Sequence, residues 1–377
     1  MPAKSPKHNR IDVLTKKKTS DKPFLYATLA LVIIGFIILS SASMAIAYKD
    51  HGSIAYYTLR QLMFGGIVGI IALFFCQWMP YRYWKQIALP LIIISFILLA
   101  FIFIPQLSYG AGGARRWLKL GSFSLQPSEI LKLGFVIYLA SWLDARRKEI
   151  RSISYGMMPF VLMVSIIGIF LMMQSDLGTF AVILATAGMM YFLGGGKISQ
   201  MGSMLAFAGV AFYFLIQLAP YRLNRVLAFL NPSYDPKGIG YQINQAFIAI
   251  GSGGFWGVGF GRSLQKYNYL PEPMTDSIFA IFAEEMGFLG VCALFLLFGF
   301  FFWRALSIAK KAPDIFGRLL AAGLAISIIA QVFINMAAIS GLLPLTGITL
   351  PFISYGGTSL VITMGMAGII LNISKYT

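Results

Sequence analysis

Four carboxylates stand close together in one otherwise apolar stretch of the chain. The stretch YLPEPMTDSIFAIFAEE, residues 269–285, contains Glu272, Asp276, Glu284 and Glu285. Two prolines keep its first part extended, and the apolar residues that follow predict a helix. Asp276 therefore stands at the boundary between loop and helix. A carboxylate there either caps the helix or takes part in chemistry, such as removing a proton or holding a metal ion.

The composition is that of an integral membrane protein. Of 377 residues, 58% are hydrophobic and 11% are charged, and the mean hydropathy is +0.77. Soluble domains carry about 25% charged residues. Apolar runs long enough to cross a bilayer predict an all-α protein of ten transmembrane helices. The predicted spans are 24–47, 56–78, 86–105, 127–145, 155–173, 179–193, 198–219, 276–303, 316–340 and 351–373.

The basic residues follow the loops rather than forming a nucleic-acid patch. If alternate loops face the same side, 19 Lys and Arg fall on one side and 9 on the other. Cytoplasmic loops collect basic residues, so both termini are predicted to be cytoplasmic. Residues 1–23 then form a basic cytoplasmic tail and residues 24–377 the transmembrane domain. A large extracytoplasmic loop, residues 220–275, joins helices 7 and 8.

Several kinds of catalytic site are excluded by residue types. The chain has two histidines, His8 and His51, so a Ser-His triad or a histidine-based metal site is not expected. The sequence LGGGKIS, residues 193–199, lacks the Ser or Thr that follows Lys in a P-loop. Any chemistry must rest on carboxylates, Lys, Arg or backbone groups.

Glu284 and Glu285 require partners inside the membrane. They lie eight and nine residues beyond Asp276, about 12 Å deeper along a helix. An unpaired carboxylate at that depth costs several kcal/mol. We therefore predict ion pairs with Lys132 and Arg60, the cations inside predicted spans, and a structural rather than catalytic role.

Two further segments carry charge toward the outer side. Arg115, Arg116 and Lys119 in GARRWLKLGSFSLQPSEILKL, residues 113–133, oppose the positive-inside trend and suggest an anionic ligand. Glu129 and Lys132 in the same segment are three residues apart and can pair on one helix face, as an ordinary salt bridge would. Asp176, in MMQSDLGTF, either turns the chain or adds a third carboxylate to the face that holds Asp276.

Together these stretches resemble the SEDS family of membrane-embedded peptidoglycan polymerases, typified by FtsW and RodA. The similarity runs from about residue 25 to the end of the chain. The motifs that carry it are RRWLKLGSFSLQPSEILK, QSDLGT, YRLNRVLAFLNPSYDPKGIGYQINQAFIAIGSGGFWGVGFGRSLQK, YLPEPMTDSIFAIFAEEMGFLG and GLLPLTGITLPFISYGGTSLVITMGMAGIILNIS. The last motif resembles the division branch, FtsW, more than the elongation branch, RodA.

The resemblance implies a function and a set of site residues. It implies polymerisation of lipid II, the undecaprenyl-pyrophosphate-linked disaccharide-peptide, at the outer face of the bacterial cytoplasmic membrane. Partners would be a class B penicillin-binding protein and divisome proteins, with no nucleic acid. The essential aspartate falls on Asp276, as catalytic base or as ligand of a divalent cation, Mg²⁺ or Mn²⁺. Substrate-binding positions fall on Glu272, Arg116, Gln126, Glu129, Lys132 and Asp176, and Arg222 and Arg225 are further candidates to face the pyrophosphates.

Three departures from the family pattern bear on this assignment. Met274 stands where many members have a histidine, so no histidine assists Asp276. Ser175 replaces a proline, which should only loosen its turn, and Thr346 stands where many division-type members have Lys. Alternatives are an elongation polymerase, a flippase or transporter for lipid-linked precursors, or a noncatalytic scaffold. A flippase would need charges reachable from both faces.

Overall fold

The protein is almost entirely helical in the computed structural model, which describes residues 19–110, 116–121, 123–217 and 220–377. Most of the predicted basic tail, residues 1–23, lies outside these ranges, as does Arg115. The helices are α1 (Lys22–His51), α2 (Tyr56–Trp78), α3 (Tyr81–Gln86), α4 (Ala88–Phe101), α5 (Pro127–Ala145), α6 (Ile153–Met173), α7 (Leu177–Leu193), α8 (Ile198–Gln217), α9 (Pro220–Leu230), α10 (Ile239–Gly253), α11 (Ile278–Lys311), α12 (Ile315–Ile339) and α13 (Gly357–Ser374).

Six of the helices in the described part of the chain are long and apolar enough to cross a membrane. They are α1, α2, α6, α11, α12 and α13. Helix α5 matches the fourth predicted span but carries Glu129, Lys132 and Asp144. The prediction of a multi-pass helical membrane protein is confirmed. Helices α12 and α13 are mostly buried and form the centre, whereas α2 and α11 keep large apolar faces exposed, as contact with lipid requires.

The fold differs from the predicted one in two places. A small antiparallel sheet of β1 (Ser108–Tyr109), β2 (Trp117–Leu120) and β3 (Phe123–Leu125) interrupts the all-α prediction. Its strands are too short to give a clear alternating pattern in the sequence. The segment 220–275, expected to be a loop, contains α9 and α10.

Helix α11 is broken inside its apolar part, and a glycine-rich segment fills the break. Gly287 has φ 63° and ψ −167°, and a Cβ on it would lie 2.2 Å from the amide nitrogen of Gly257. The amides of Val258 and Gly259 donate to the carbonyls of Glu284 and Glu285, both at 3.0 Å. Non-helical backbone at membrane depth is tolerated when the protein satisfies it in this way. Part of the predicted outer loop therefore packs inside the protein.

The predicted ion-pair partners of Glu284 and Glu285 are wrong. The glycine-rich segment brings Lys266, which is fully buried, to 2.9 Å from Glu285 Oε1. Ser41 of α1 donates to the same oxygen at 2.6 Å. Glu284 accepts from the hydroxyl of Ser263 and from the amide of residue 264. A loop lysine supplies the charge because the chain re-enters the membrane domain, which the distribution of charges along the sequence does not reveal.

We expect Lys266→Met to lower the free energy of unfolding by about 3–5 kcal/mol, because it leaves a buried carboxylate without its cation. The double variant Lys266→Met/Glu285→Gln should recover most of that loss. Thermal and denaturant unfolding of the purified protein in detergent measure both. Lys197→Met, which removes an exposed cation, is the matched control. Equal losses in the single and double variants would contradict the pairing.

Candidate active site

The candidate site is built around the irregular segment that joins α12 to α13. Arg225, on α9, donates to the carbonyls of Leu345 at 3.0 Å and Thr346 at 3.3 Å. Arg116, directly before β2, reaches the carbonyl of Gly347 at 3.5 Å. The two predicted substrate-binding arginines are thus anchored to consecutive residues of one segment.

A polar stripe on α12 holds the next part of the same segment. Asn335 donates to the carbonyl of Ile348 at 2.7 Å, and Gln331 donates to that of Thr349 at 2.9 Å. Gln331 and Asn335 are four residues apart and share one face of the helix. Asn335 also donates to the backbone carbonyl of Asp276 at 2.9 Å. The segment and the carboxylate-bearing loop are therefore fixed to the same side chain.

Three predicted site residues converge beside Gly347, which is exposed. A Cβ placed on Gly347 would lie 3.6 Å from Arg116 Nη1, 3.9 Å from Arg225 Nη2 and 3.9 Å from Asp276 Oδ2. Gly347 has φ 67°, a conformation that side chains disfavour. A carboxylate oxygen and two guanidinium nitrogens therefore lie around this position. We call these three side chains the Asp276 cluster.

Asp276 does not cap α11, so the capping alternative is wrong. The helix begins at Ile278, and the residue before it, Ser277, makes no side-chain cap. The Asp276 carboxylate instead receives a long hydrogen bond, 3.5 Å, from the side-chain amide of Gln242 on α10. The same amide group lies 2.9 Å from the hydroxyl of Ser277. Gln242 therefore contacts both Asp276 and the residue that follows it.

The surroundings of Asp276 favour its protonated form more than water does. Withdrawal from water, and after it the nearby negative charge of Glu272, raise the pKa of Asp276 to about 6, while the hydrogen bond from Gln242, a backbone hydrogen bond and the charge of Arg225 act in the opposite direction. Asp276 lies two residues before α11 begins. A carboxylate with a pKa near neutrality is suited to taking up a proton during a reaction.

Buried polar atoms next to the cluster have unmet hydrogen-bonding capacity. In the described part of the chain, Arg116 Nε, Asp176 Oδ2 and Asn335 Oδ1 have no hydrogen-bond partner. Buried polar groups are normally paired. These three atoms therefore indicate that water or a polar ligand completes the site.

Asp176 and Arg222 support the cluster from the neighbouring helices. Asp176 caps α7 by accepting from the amide of Thr179 at 3.2 Å, and it is almost fully buried. Arg222 donates to the carbonyl of Met172 at 3.0 Å. Arg116 also donates to the carbonyl of Ser175, which has φ 58°. The turn before Asp176 is therefore tied to the site by Arg116.

The pair formed by Glu129 and Lys132 is confirmed, and it lies apart from the cluster. Lys132 Nζ is 2.9 Å from Glu129 Oε2, and both side chains are buried. Lys132 also donates to Gln331, which links the pair to the irregular segment. The positive charge of Lys132 is already balanced by Glu129, so an effect of Lys132 on a ligand would pass through Gln331.

Gln126 and Glu272 occupy the edges of the site. Gln126 donates from its side chain to Ser128 at 3.1 Å and lines a separate cavity next to Thr275. Glu272 is exposed, has φ 52° and accepts from the hydroxyl of Thr275 at 2.6 Å. Positive φ in a non-glycine residue is strained, and such strain concentrates at functional sites.

The described residues include no group of three His, Cys, Asp or Glu side chains placed to hold a metal ion. Mg²⁺ is commonly bound by one or two carboxylates together with substrate phosphates. Asp276, with Glu272 near enough to affect its pKa, fits this arrangement of one or two carboxylates, in which the other ligands come from a substrate.

Sequence reasoning missed several residues that hold the site together. Gln331 and Asn335 were detectable, since they continue a polar stripe with Ser327 along the apolar α12. Gln242 and Gly347 gave no comparable signal, because their roles depend on contacts between distant segments. The glutamine meets Asp276 only after α10 folds back, and the glycine is one of many in the chain.

Comparison with known proteins gives the chain's relatives. Residues 22–377 match the family model of FtsW, RodA and SpoVE, described as cell cycle protein. The chain is 41% identical to stage V sporulation protein E of Bacillus subtilis, over 96% of this chain and 99% of that protein. It is 39% identical to the probable peptidoglycan glycosyltransferase FtsW of Trichlorobacter lovleyi, over 94% of this chain and 93% of that protein.

Solved structures agree with the fold. A chain from a peptidoglycan synthase complex that coordinates polymerization and crosslinking superposes with a TM-score of 0.77 at 29% identity, over 94% of this chain and 97% of that one. The crystal structure of the rod shape determining protein RodA of Thermus thermophilus gives a TM-score of 0.70 at 28% identity, over 94% of this chain and 96% of that one. The protein described here belongs to the FtsW, RodA and SpoVE family, the SEDS family of membrane proteins.

Proposed function

We propose that this protein is a peptidoglycan glycosyltransferase that polymerises lipid II into glycan strands. The observation that carries the proposal is the Asp276 cluster, where a carboxylate with a raised pKa and two arginines lie around the exposed Gly347. A relative at 39% identity bears the name probable peptidoglycan glycosyltransferase. The cluster contains the groups that glycosyl transfer from a lipid-linked diphosphate needs.

The reaction joins two lipid-linked sugars. The 4-hydroxyl oxygen of one sugar attacks the anomeric carbon of the other, and a carbon–oxygen bond forms there. The bond from that carbon to the diphosphate breaks, and the lipid diphosphate leaves with the electron pair. Asp276 takes the proton of the attacking hydroxyl, a contribution of about 10²–10⁴-fold in rate.

Arg116 and Arg225 stabilise the charge that develops on the leaving diphosphate. Their guanidinium groups are held by backbone carbonyls, so they need little rearrangement when charge appears. In the alternative role that we propose for Asp276, its carboxylate would help to hold a divalent cation, Mg²⁺ or Mn²⁺, together with the diphosphate. When bound, such an ion would supply further neutralisation of the leaving group.

We propose a ten-helix arrangement in the bacterial cytoplasmic membrane, with both termini in the cytoplasm. Six helices meet the length and hydropathy needed to cross, and α4, α7 and part of α8 are shorter apolar helices. Helix α5 would be the tenth, with its charges buried as an ion pair. The surplus of Lys and Arg on one side supports this orientation, and the cluster then opens to the outer face.

We propose a class B penicillin-binding protein and divisome proteins as partners, and septal synthesis as the role. The solved peptidoglycan synthase complex, in which polymerization and crosslinking are coordinated, supports pairing with a crosslinking enzyme. The similarity of the final motif to division-type members supports the septal role over elongation.

Asp276→Asn should lower the rate of lipid II polymerisation by at least about 10²-fold, because the amide cannot accept the proton. The assay follows labelled lipid II into long glycan on a gel, with purified protein alone and with its crosslinking partner. As a control, Asp50→Asn removes an exposed carboxylate that is far from Asp276 in the sequence, and it should leave the rate unchanged.

The same assay separates the alternatives. Polymer from the wild-type chain excludes a noncatalytic scaffold. Undiminished polymer from Asp276→Asn would remove the proposed role of that residue. Transport of lipid II across vesicles without any polymer would favour the flippase.

The rate of polymerisation should fall as the pH drops below about 6, because Asp276 acts in its ionised form and its pKa is about 6. Gln242→Leu removes a hydrogen bond that favours the ionised form. The pKa of Asp276 should therefore rise in this variant, and the acid limb of the kcat/KM profile should move to higher pH. Gln106→Leu, at an exposed site, is the control. An unshifted profile in Gln242→Leu would contradict this assignment of the acid limb.

A further inference from the structure

A second concentration of charge lies at the end of the molecule remote from Asp276. It is formed by two turns, residues 146–151 between α5 and α6 and residues 194–197 between α7 and α8. Helix α6 starts beside these turns and, about 30 Å away, reaches the carbonyl of Met172 that Arg222 holds. The two turns therefore take no direct part in the chemistry proposed for the Asp276 cluster.

Four exposed cations in these turns form what we call the basic patch. They are Arg147, Lys148, Arg151 and Lys197. None of the four forms an ion pair with another residue that the structure describes. The neighbouring carboxylates Asp144 and Glu149 are already paired, with Lys85 and Arg146 respectively. The basic patch is thus left with an excess of positive charge.

Hydrogen bonds hold the two turns of the basic patch together. Arg151 Nε donates to the carbonyl of Gly195 at 3.3 Å, and the side-chain amide of the buried Gln200 donates to the carbonyl of Arg151 at 3.1 Å. The hydroxyl of the buried Tyr191 lies 2.9 Å from the carbonyl of Ile150. Arginine has five N–H donors, so Arg151 can hold the turn and still bind an anion. Cations far apart in the sequence are therefore arranged on one scaffold.

An exposed apolar surface begins directly beside the basic patch. On the first turns of α6, the side chains of Ile153, Tyr155 and Met158 are exposed, and so is Ile198 at the start of α8. Apolar side chains exposed on membrane helices contact lipid, and tyrosine is enriched at the boundary between membrane and water. Positive charge and a lipid-facing surface therefore meet at the same boundary.

We propose that the basic patch binds the headgroup of an anionic phospholipid such as phosphatidylglycerol, whose acyl chains lie along the first turns of α6. Basic residues at the cytoplasmic ends of transmembrane helices attract anionic headgroups, and both turns face the cytoplasm in the orientation proposed above. A soluble anion would meet only the charges, whereas a phospholipid matches the charges and the apolar surface. The inference goes beyond the proposed polymerisation, which takes place at the other face.

Native mass spectrometry of the delipidated chain in detergent tests the proposal. Wild type should bind phosphatidylglycerol at least tenfold more tightly than phosphatidylcholine with the same acyl chains. Each cation near an anionic headgroup contributes about fivefold to binding. The double variant Arg147→Gln/Lys148→Gln should therefore bind phosphatidylglycerol at least tenfold more weakly, with phosphatidylcholine unchanged. Lys197→Gln, on the other turn, should weaken phosphatidylglycerol binding about fivefold.

A matched control separates a site from a general effect of charge. Lys310→Gln/Lys311→Gln makes the same change of charge at the exposed end of α11 and should alter phosphatidylglycerol binding less than twofold. Equal weakening in the two double variants would overturn the proposal, and so would a wild type with no preference for phosphatidylglycerol.

Two further measurements identify what the patch recognises. Inorganic phosphate at the concentration of the lipid should not displace phosphatidylglycerol, and displacement would indicate a site for soluble anions instead. Tyr155→Ser removes an exposed ring beside the patch and should weaken both lipids to a similar extent. Ile169→Ser, at an exposed position further along α6, should not. Unchanged binding in Tyr155→Ser would contradict the placement of the acyl chains.

Unfolding temperatures separate loss of the site from loss of the fold. In lipid-free detergent Arg147→Gln/Lys148→Gln should unfold at the wild-type temperature, because the side chains it removes are exposed. Added phosphatidylglycerol should raise the unfolding temperature of the wild type but not of this variant, and an equal rise in both would contradict the site.

Failure of this inference is distinguishable from failure of the proposed function, because lipid binding is measured without lipid II. A chain that makes no polymer but binds phosphatidylglycerol with the stated preference fails the proposed function and keeps the basic patch as a lipid site. A chain that makes polymer without that preference keeps the proposed function and loses the lipid site.

Discussion

Backbone carbonyls of a non-helical segment inside a membrane protein must find hydrogen-bond donors within the protein. Residues 345–349 meet this requirement with four side chains from three separate parts of the chain, namely Arg116, Arg225, Gln331 and Asn335. Each carbonyl of the five accepts from one of them. Arginine has five N–H donors, so anchoring to a carbonyl does not use up the group. The requirement of the backbone thus places positive charge beside Asp276.

That arrangement explains why a glycine stands at the centre of the segment. Gly347 adopts a left-handed backbone, and a Cβ on it would lie within 4 Å of Arg116, Arg225 and Asp276. Any side chain there would be strained and would point among these charged groups. Gly347 therefore permits both the local conformation and the close approach of the three side chains.

The sequence was sufficient for the parts of the fold that rest on local patterns. Apolar runs located most of the helices, although α11 ends eight residues later and α13 begins six residues later than predicted, and the three-residue spacing of Glu129 and Lys132 identified their pair. It was not sufficient where distant segments meet. Lys266 lies in a stretch that read as an outer loop, and only the break at Gly287 lets that stretch reach Glu285. The sequence also left cap and active carboxylate equally open for Asp276, because that choice depends on neighbours far along the chain.

Asp276 is held from two directions, which suits a group that must be accurately placed. Its backbone carbonyl accepts from Asn335 of α12, and nine residues later Glu285 is fixed by Lys266 and Ser41. A buried ion pair adds little net stability, because desolvation offsets much of the attraction. Its effect on geometry is different, since a single misplaced partner leaves a buried charge unpaired. The first turns of α11 are therefore confined between two fixed points. The catalytic role proposed for Asp276 needs placement within about 0.5 Å, and this confinement restricts its position without a cap on Asp276 itself.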